Sequence, residues 1–349
     1  MNRQVSPGVD RALEPQHGVS RGGQPLSYNR APAADLAPWV ARLYFTAVKA
    51  PADHRLDCGL FNDTAFIRIQ LAGDWQAETA DGPRAFGRAM LFFGPQSRRM
   101  PISVTGSFIS LGVSLRPGAC HALKGPKAAD YVDRMADCSD IGMAPPGLME
   151  SLVFDESPEN NLQQLEAMLR ERVVMVGAAP PDPVTARFEA LSFADPAAGI
   201  ATFAREIGID QRRLERLVRR DFGMAPKQVL RRARALDMAS NLRGVADEEE
   251  ADELALRYYD QSHLIHEFAE LFGMSPGQFV ANPQPILTLA LESRQARRLE
   301  AIERLAPGAL RPWEASPSSI EQRADRAFIG DPADRLADQR GYGQDADAV

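Results

Sequence analysis

The chain has 349 residues, enough for about two domains, and its formal net charge of -7 excludes a uniformly basic nucleic-acid coat. No apolar run is long enough to span a bilayer, and the first thirty residues lack a basic-then-apolar signal, so no membrane partner and a cytoplasmic location are expected. Cys58, Cys120 and Cys138 are odd in number and show no Cys-x-x-Cys spacing, which argues against a disulfide framework or a zinc site and suits buried thiols.

Taken in chain order, residues 1–35 are rich in Pro, Gly, Gln and Arg and read as a disordered leader. From Trp39 short apolar runs follow: WVARLYFTAV, TAFIRIQL, MLFFG, ISVTG and SFISLGVSL. Turn residues at Gly73-Asp74, Asp81-Gly82-Pro83 and Gly94-Pro95 separate them, a pattern that predicts a small antiparallel barrel or sandwich. Helices follow Arg116-Pro117-Gly118. Over 157–176 the chain predicts an amphipathic helix with Leu162, Leu165, Leu169 and Val173 on one face, suited either to its own barrel or to a second copy.

Between Ile207 and Phe279 the chain says nearly the same thing twice, fifty positions apart. Asp210 and Gln211 return as Asp260 and Gln261, Leu214 as Leu264, and FGMAPKQ from Phe222 as FGMSPGQ from Phe272. Such a repeat means one supersecondary unit used twice. In the first copy Asp210 is placed to cap a helix whose apolar stripe is Leu214, Leu217, Val218 and Phe222. Its other face carries Gln211, Arg212, Arg213, Arg216, Arg219 and Arg220, the layout of a helix-turn-helix recognition helix. The second copy turns Leu264, Phe268 and Leu271 inward and Gln261, Ser262, Ile265 and His266 outward. Pro226 opens a connecting helix that closes near Gly244. At 1.5 Å per residue it is roughly 25 Å long, comparable with the roughly 34 Å of one DNA turn. From Arg205 to Arg243 eleven basic residues face five acidic ones, so the positive charge is concentrated here. After Pro285 one more helix is expected, with a basic patch at Arg294, Arg297 and Arg298, and then a disordered acidic tail.

These residues resemble the AraC/XylS family of bacterial transcriptional regulators. The features that match are Phe203-Ala204 with Gly208, the Leu214, Arg216, Val218 rhythm, Gly223 with Pro226, Arg234-Ala235-Leu236, and DQSHL followed by FGMSP and Phe279. The chain departs at Arg257, where the family usually has a turn glycine, and at His266, where it often has Arg. GVSLRPG from Gly112 is similar to a segment of the cupin-like sensor domains attached to that family. The resemblance implies an α+β multidomain chain: a leader to residue 35, a cupin-like sensor domain at 36–178, a DNA-binding domain at 183–283, and a helix and disordered tail at 284–349. The sensor would be an antiparallel β barrel with helices, and the DNA-binding domain two helix-turn-helix units joined by a long helix. Double-stranded DNA is the expected partner, with a small-molecule effector, RNA polymerase and a second copy of the chain as further candidates, and no cofactor.

By position in the motif, Arg212, Glu215 and Arg216, with Ser262, Ile265 and His266, are expected to face bases. Gln211, Arg213, Arg219, Arg220, Arg231, Arg232 and Gln261 are expected to meet the phosphate backbone. An enzyme is not indicated. The five histidines include no His-x-His pair in the N-terminal half from which a three-His metal centre could be built, and no nucleophile elbow, phosphate loop or dinucleotide fingerprint appears. A second reading keeps the helical repeat as a protein-interaction or adaptor unit without tight DNA binding; the Arg-rich first helix favours the DNA reading.

Overall fold

Two long strands organise the N-terminal half. β5 (Phe66–Thr79) and β8 (Met100–Leu115) pair antiparallel over much of their length, and both carry many β-branched and aromatic residues that suit a pleated surface. Register shifts around Ala72 bend β5. Gly73 supplies the φ of +102° found at the bend, and a Cβ there would lie 2.8 Å from the Trp75 ring nitrogen. The bend lets each strand serve two partners. β8 pairs with β3 (Val40–Lys49) at one end and β4 (Arg55–Leu60) at the other, while β5 pairs with β7 (Ala89–Phe93) and β6 (Gly82–Phe86). β9 (Met135–Asp137) continues from β7, and β1 (Glu14–Pro15) and β2 (Tyr28–Arg30) both pair with β3.

The computed structural model describes residues 6–144, 147–151, 157–246, 261–303 and 311–314. Among these residues the nine strands form one sheet, ordered β1-β3-β8-β5-β7-β9, that does not close on itself. The expected barrel is therefore corrected to an open, bent sheet whose faces are covered by helices. The leader is corrected as well from Ser6 onward. Its strands pair with β3, Leu13 and Gln24 are buried, and the Gly8 N–H donates to the Val280 carbonyl at 2.8 Å. Composition alone suggested disorder because this segment is held by partners that composition does not reveal, from β3 to Val280 and Arg243.

The helices are α1 (Ala119–Ala122), α2 (Leu148–Ser151), α3 (Pro158–Val176), α4 (Pro183–Ala194), α5 (Ile200–Glu206), α6 (Gln211–Phe222), α7 (Pro226–Leu242), α8 (Gln261–Phe272), α9 (Pro276–Ala281) and α10 (Pro285–Ala301), with a 3-10 turn at Ala128–Tyr131. One face of the sheet presents Leu43, Phe45, Ile67, Ile69, Leu111 and Val113 to Leu162, Leu165 and Leu169 of α3. The apolar stripe that the periodicity also offered to a second copy is thus used within the chain. Elsewhere Phe61, Phe66, Trp75 and Phe93 share a core with Leu236, Phe268, Phe272, Phe279, Leu287 and Leu291 of the C-terminal helices. Burial of both faces explains why β3 lacks a simple in-out alternation. The chain up to Trp313 forms one compact unit.

The sequence repeat becomes a structural one. Phe222 and Phe272 are buried, Gly223 and Gly273 follow with φ of +76° and +69°, and Pro226 and Pro276 open the next helix. In both copies the glutamine at the third helical position accepts from the residue before the helix, Gln228 from Ala225 at 3.0 Å and Gln278 from Ser275 at 2.9 Å. Asp210 caps α6 by accepting from the Arg213 N–H at 2.8 Å.

The basic patch expected on α10 is corrected. Arg294, Arg297 and Arg298 are all buried. Arg297 reaches Asp63 of the β4–β5 loop at 2.5 Å, Arg294 reaches Asp63 at 3.3 Å and Asp237 of α7 at 2.6 Å, and Arg298 donates to the Phe193 carbonyl at 3.1 Å. Arg42 of β3, fully buried, reaches Glu300 at the end of the same helix at 2.6 Å. Buried guanidinium groups persist where each finds a carboxylate or carbonyl, and here the sheet and α4 and α7 supply them.

Candidate nucleic-acid interface

α6 is set by its own sequence. Leu214, Leu217, Val218 and Phe222 are buried, and Leu214, Val218 and Phe222 share a local core with Phe188 of α4, Phe203 of α5 and Leu230 of α7. Burying them leaves Gln211, Arg212, Arg213, Glu215, Arg216 and Arg219 exposed. Gln211 donates to Glu215 at 2.8 Å. Arg212, Arg216 and Arg219, at i, i+4 and i+7, form one stripe along the helix, and none of the three makes an ion pair among the described residues. The stripe borders a groove that Lys227 and Pro226 of α7 close on one side.

Arg220 is held differently. It contacts Asp221 at 2.6 and 2.8 Å, and this hydrogen-bonded pairing, outweighing partial burial, raises its already high pKa. Asp221 also accepts from the Thr185 hydroxyl at 2.5 Å, so α4 fixes the pair. Arg231 is half-buried and paired with Glu270 and Glu267 of α8. Arg232 is 1 % exposed and donates to the carbonyls of Gln96 at 2.8 Å and Asp63 at 2.6 Å. Burial pushes its pKa down to about 10 despite the nearby Asp63 carboxylate. Expected at the DNA backbone, Arg232 instead joins α7 to two loops of the sheet, because the α7 face that carries it is the face the sheet covers.

On α8 the side chains of Ile265, His266 and His263 are exposed. Gln261 and Ser262 open the helix, with their side chains outside the described residues, as is Arg257. Lys227 was not assigned a contact from sequence; its place in the second position of α7, beside the α6 stripe, was the available signal. The three cysteines are free and buried, and burial, with Asp221 nearby, pushes the Cys120 thiol up to about 12. Among the described residues no group of three or more His, Cys, Asp or Glu side chains could hold a metal ion, and no helix is long and apolar enough to cross a membrane.

Residues 203–282 match the family model described as a helix-turn-helix domain. No curated protein matches the chain at a significant level. Among solved structures, ToxT from Vibrio cholerae is similar at 9% identity and a TM-score of 0.41, covering 68% of this chain and 97% of its own. Wild-type ToxT with a bound unsaturated fatty acid gives 10% identity and a TM-score of 0.40, covering 68% and 94%. The AraC-like transcriptional activator CuxR gives 17% identity and a TM-score of 0.23, covering 62% and 88%. The matched segment spans α5 to α9 and contains both copies of the repeat, so this part of the chain is a helix-turn-helix domain.

Proposed function

We propose that the chain reads two neighbouring major-groove segments of one duplex, one with α6 and one with α8, under control of a small effector bound against the sheet. The observation that carries the DNA reading is the stripe of Arg212, Arg216 and Arg219, exposed, free of ion pairs among the described residues, and standing on a helix capped by Asp210. An arginine fork matches guanine O6 and N7, Glu215 can accept from cytosine N4, and Ile265 can touch a thymine methyl. Selection from a random duplex library should return two short blocks about one helical turn apart. Arg216→Ala should cost about 1–3 kcal/mol and relax one position of the first block. Unchanged affinity and preference in that variant would remove α6 from base reading.

The effector reading rests on a cavity between β3, β5, β8 and α10. Its floor is polar, with Tyr44, Thr46, Ser114 and Arg68, and its roof is Ile286, Leu289 and Ala290 of α10. Gly112 leaves room for the Tyr44 ring, since a Cβ there would lie 2.6 Å from the Tyr44 hydroxyl. Arg68 is buried, donates to the Ser110 hydroxyl at 3.0 Å, stands 4.5 Å over the Trp75 ring, and among the described residues keeps an Nε without a hydrogen-bond partner. Among the described residues no carboxylate lines the cavity. A buried guanidinium with no counter-charge among the described residues favours an anionic ligand, here a small organic carboxylate with an apolar body. Benzoate should raise the melting temperature of the wild type, benzyl alcohol should raise it less, and Arg68→Met should abolish the difference.

A further inference from the structure

The stripe on α6 has a second positive flank, and it comes from the sheet-bearing half of the chain. The loop between α1 and the 3-10 turn is seated directly on α6. A Cβ on Gly223, at the end of α6, would lie 2.9 Å from the Ala128 carbonyl oxygen. The Gly118 N–H donates to the Asp221 carbonyl at 3.3 Å. This seating brings His121 and Lys127 beside Arg216, Arg219 and Arg220 around one concave surface floored by Gly125, Pro126 and Ala128. Among the described residues no carboxylate lines it. His121 and Lys127 are exposed, and Lys127 makes no ion pair among the described residues.

Arg216 and Arg219 border both concavities, the one closed by Lys227 and the one closed by Lys127. A helix in the major groove, about 12 Å wide, has one sugar-phosphate strand on each side. The two lysines stand on the two sides of the α6 stripe, where those strands pass. We propose that the loop from Gly125 to Lys127 belongs to the DNA interface, Lys127 and Arg219 holding a backbone phosphate on the side of α6 opposite Lys227. This inference rests on the reading that α6 enters the major groove. It makes the sheet-bearing half a direct contributor to affinity.

The test uses the full chain, its selected duplex and an unrelated duplex of equal length, titrated across salt. Lys127→Ala should lower affinity for both duplexes without changing the preferred sequence. Its salt slope should fall by about 0.9, so that between about 50 and 200 mM salt it loses roughly three- to fourfold less affinity than the wild type does. Lys127→Arg should restore the slope, and Lys49→Ala, an exposed lysine on β3, should leave it unchanged. A Lys127→Ala slope equal to that of Lys49→Ala, while Arg216→Ala still relaxes the first block, overturns the inference and leaves the DNA reading standing. No selected sequence for the wild type overturns both. Stabilisation of the wild type by millimolar inorganic phosphate, lost in Lys127→Ala with an unchanged DNA slope, would assign the concavity to a free anion and also overturn the inference.

Discussion

Asp63→Ala is expected to lower the stability of the chain by about 3 kcal/mol, the low end for removing one member of a buried ion cluster. Asp63 keeps 17% of its side chain exposed, while Arg294 and Arg297, which it meets, are at 4% and 5%. The loss is tempered because Arg294 retains Asp237 and Arg297 retains Glu189 at 3.4 Å. Burial opposes ionisation of Asp63, and Arg297, Arg294 and Arg232 outweigh it, so its pKa lies below the ordinary carboxylate value. A lowered folded pKa gives stability that is fully present above the unfolded value of about 3.9 and disappears as pH falls through the folded one. Urea melts at neutral pH and below pH 4 should therefore show a gap between wild type and Asp63→Asn that narrows in acid. An equal gap at both pH values would mean that the charge of Asp63 contributes nothing. Since Asp63 lies on a sheet loop and its partners lie on α10, this variant also measures how firmly the two halves are joined.

Phe279→Ala is expected to cost roughly 3–5 kcal/mol, as deletion of a fully buried ring does. Its ring lies 5.3 Å from that of Phe268 and 5.1 Å from that of Phe272, and Phe272 in turn meets Phe61 of the sheet-bearing half at 5.1 Å. The Arg243 guanidinium stands 5.8 Å above the Phe279 ring and donates to its carbonyl at 3.3 Å. The cavity falls under α8, so the second reading head should loosen before the first. Library selection with this variant, at a temperature where it remains folded, should return the α6 block and lose the α8 block. Retention of both blocks at wild-type strength would separate DNA reading from this aromatic cluster.

The helical repeat was legible because everything it needs is local. A cap at Asp210, glycines just past Phe222 and Phe272, prolines at the next helix start and a 3.6-residue apolar stripe all act within a few residues of one another. The exposure of Arg212, Arg213, Arg216 and Arg219 follows from the burial of Leu214, Leu217 and Val218 on the opposite face. The sheet was legible as strands but not in its closure. Short apolar runs separated by turns do not say whether the end strands will meet, and here β5 and β8 bend and leave the ends apart.

The arginines mark the limit most clearly. Arg216 and Arg232 look alike as members of a basic segment, yet one is exposed and the other is 1 % exposed between Gln96 and Asp63. Likewise Arg294, Arg297 and Arg298 read as a surface patch and proved to be an internal joint. The sequence by itself determined the two repeated units, their caps and the outward face of α6, since short-range geometry decides which side of a helix its apolar stripe faces. Tertiary structure decided which of the helix arginines stay exposed, which are buried, and which side of α6 gains Lys127. The guanidinium groups of Arg232 and Arg297 are held beside carbonyls or a carboxylate that loops more than a hundred residues away supply.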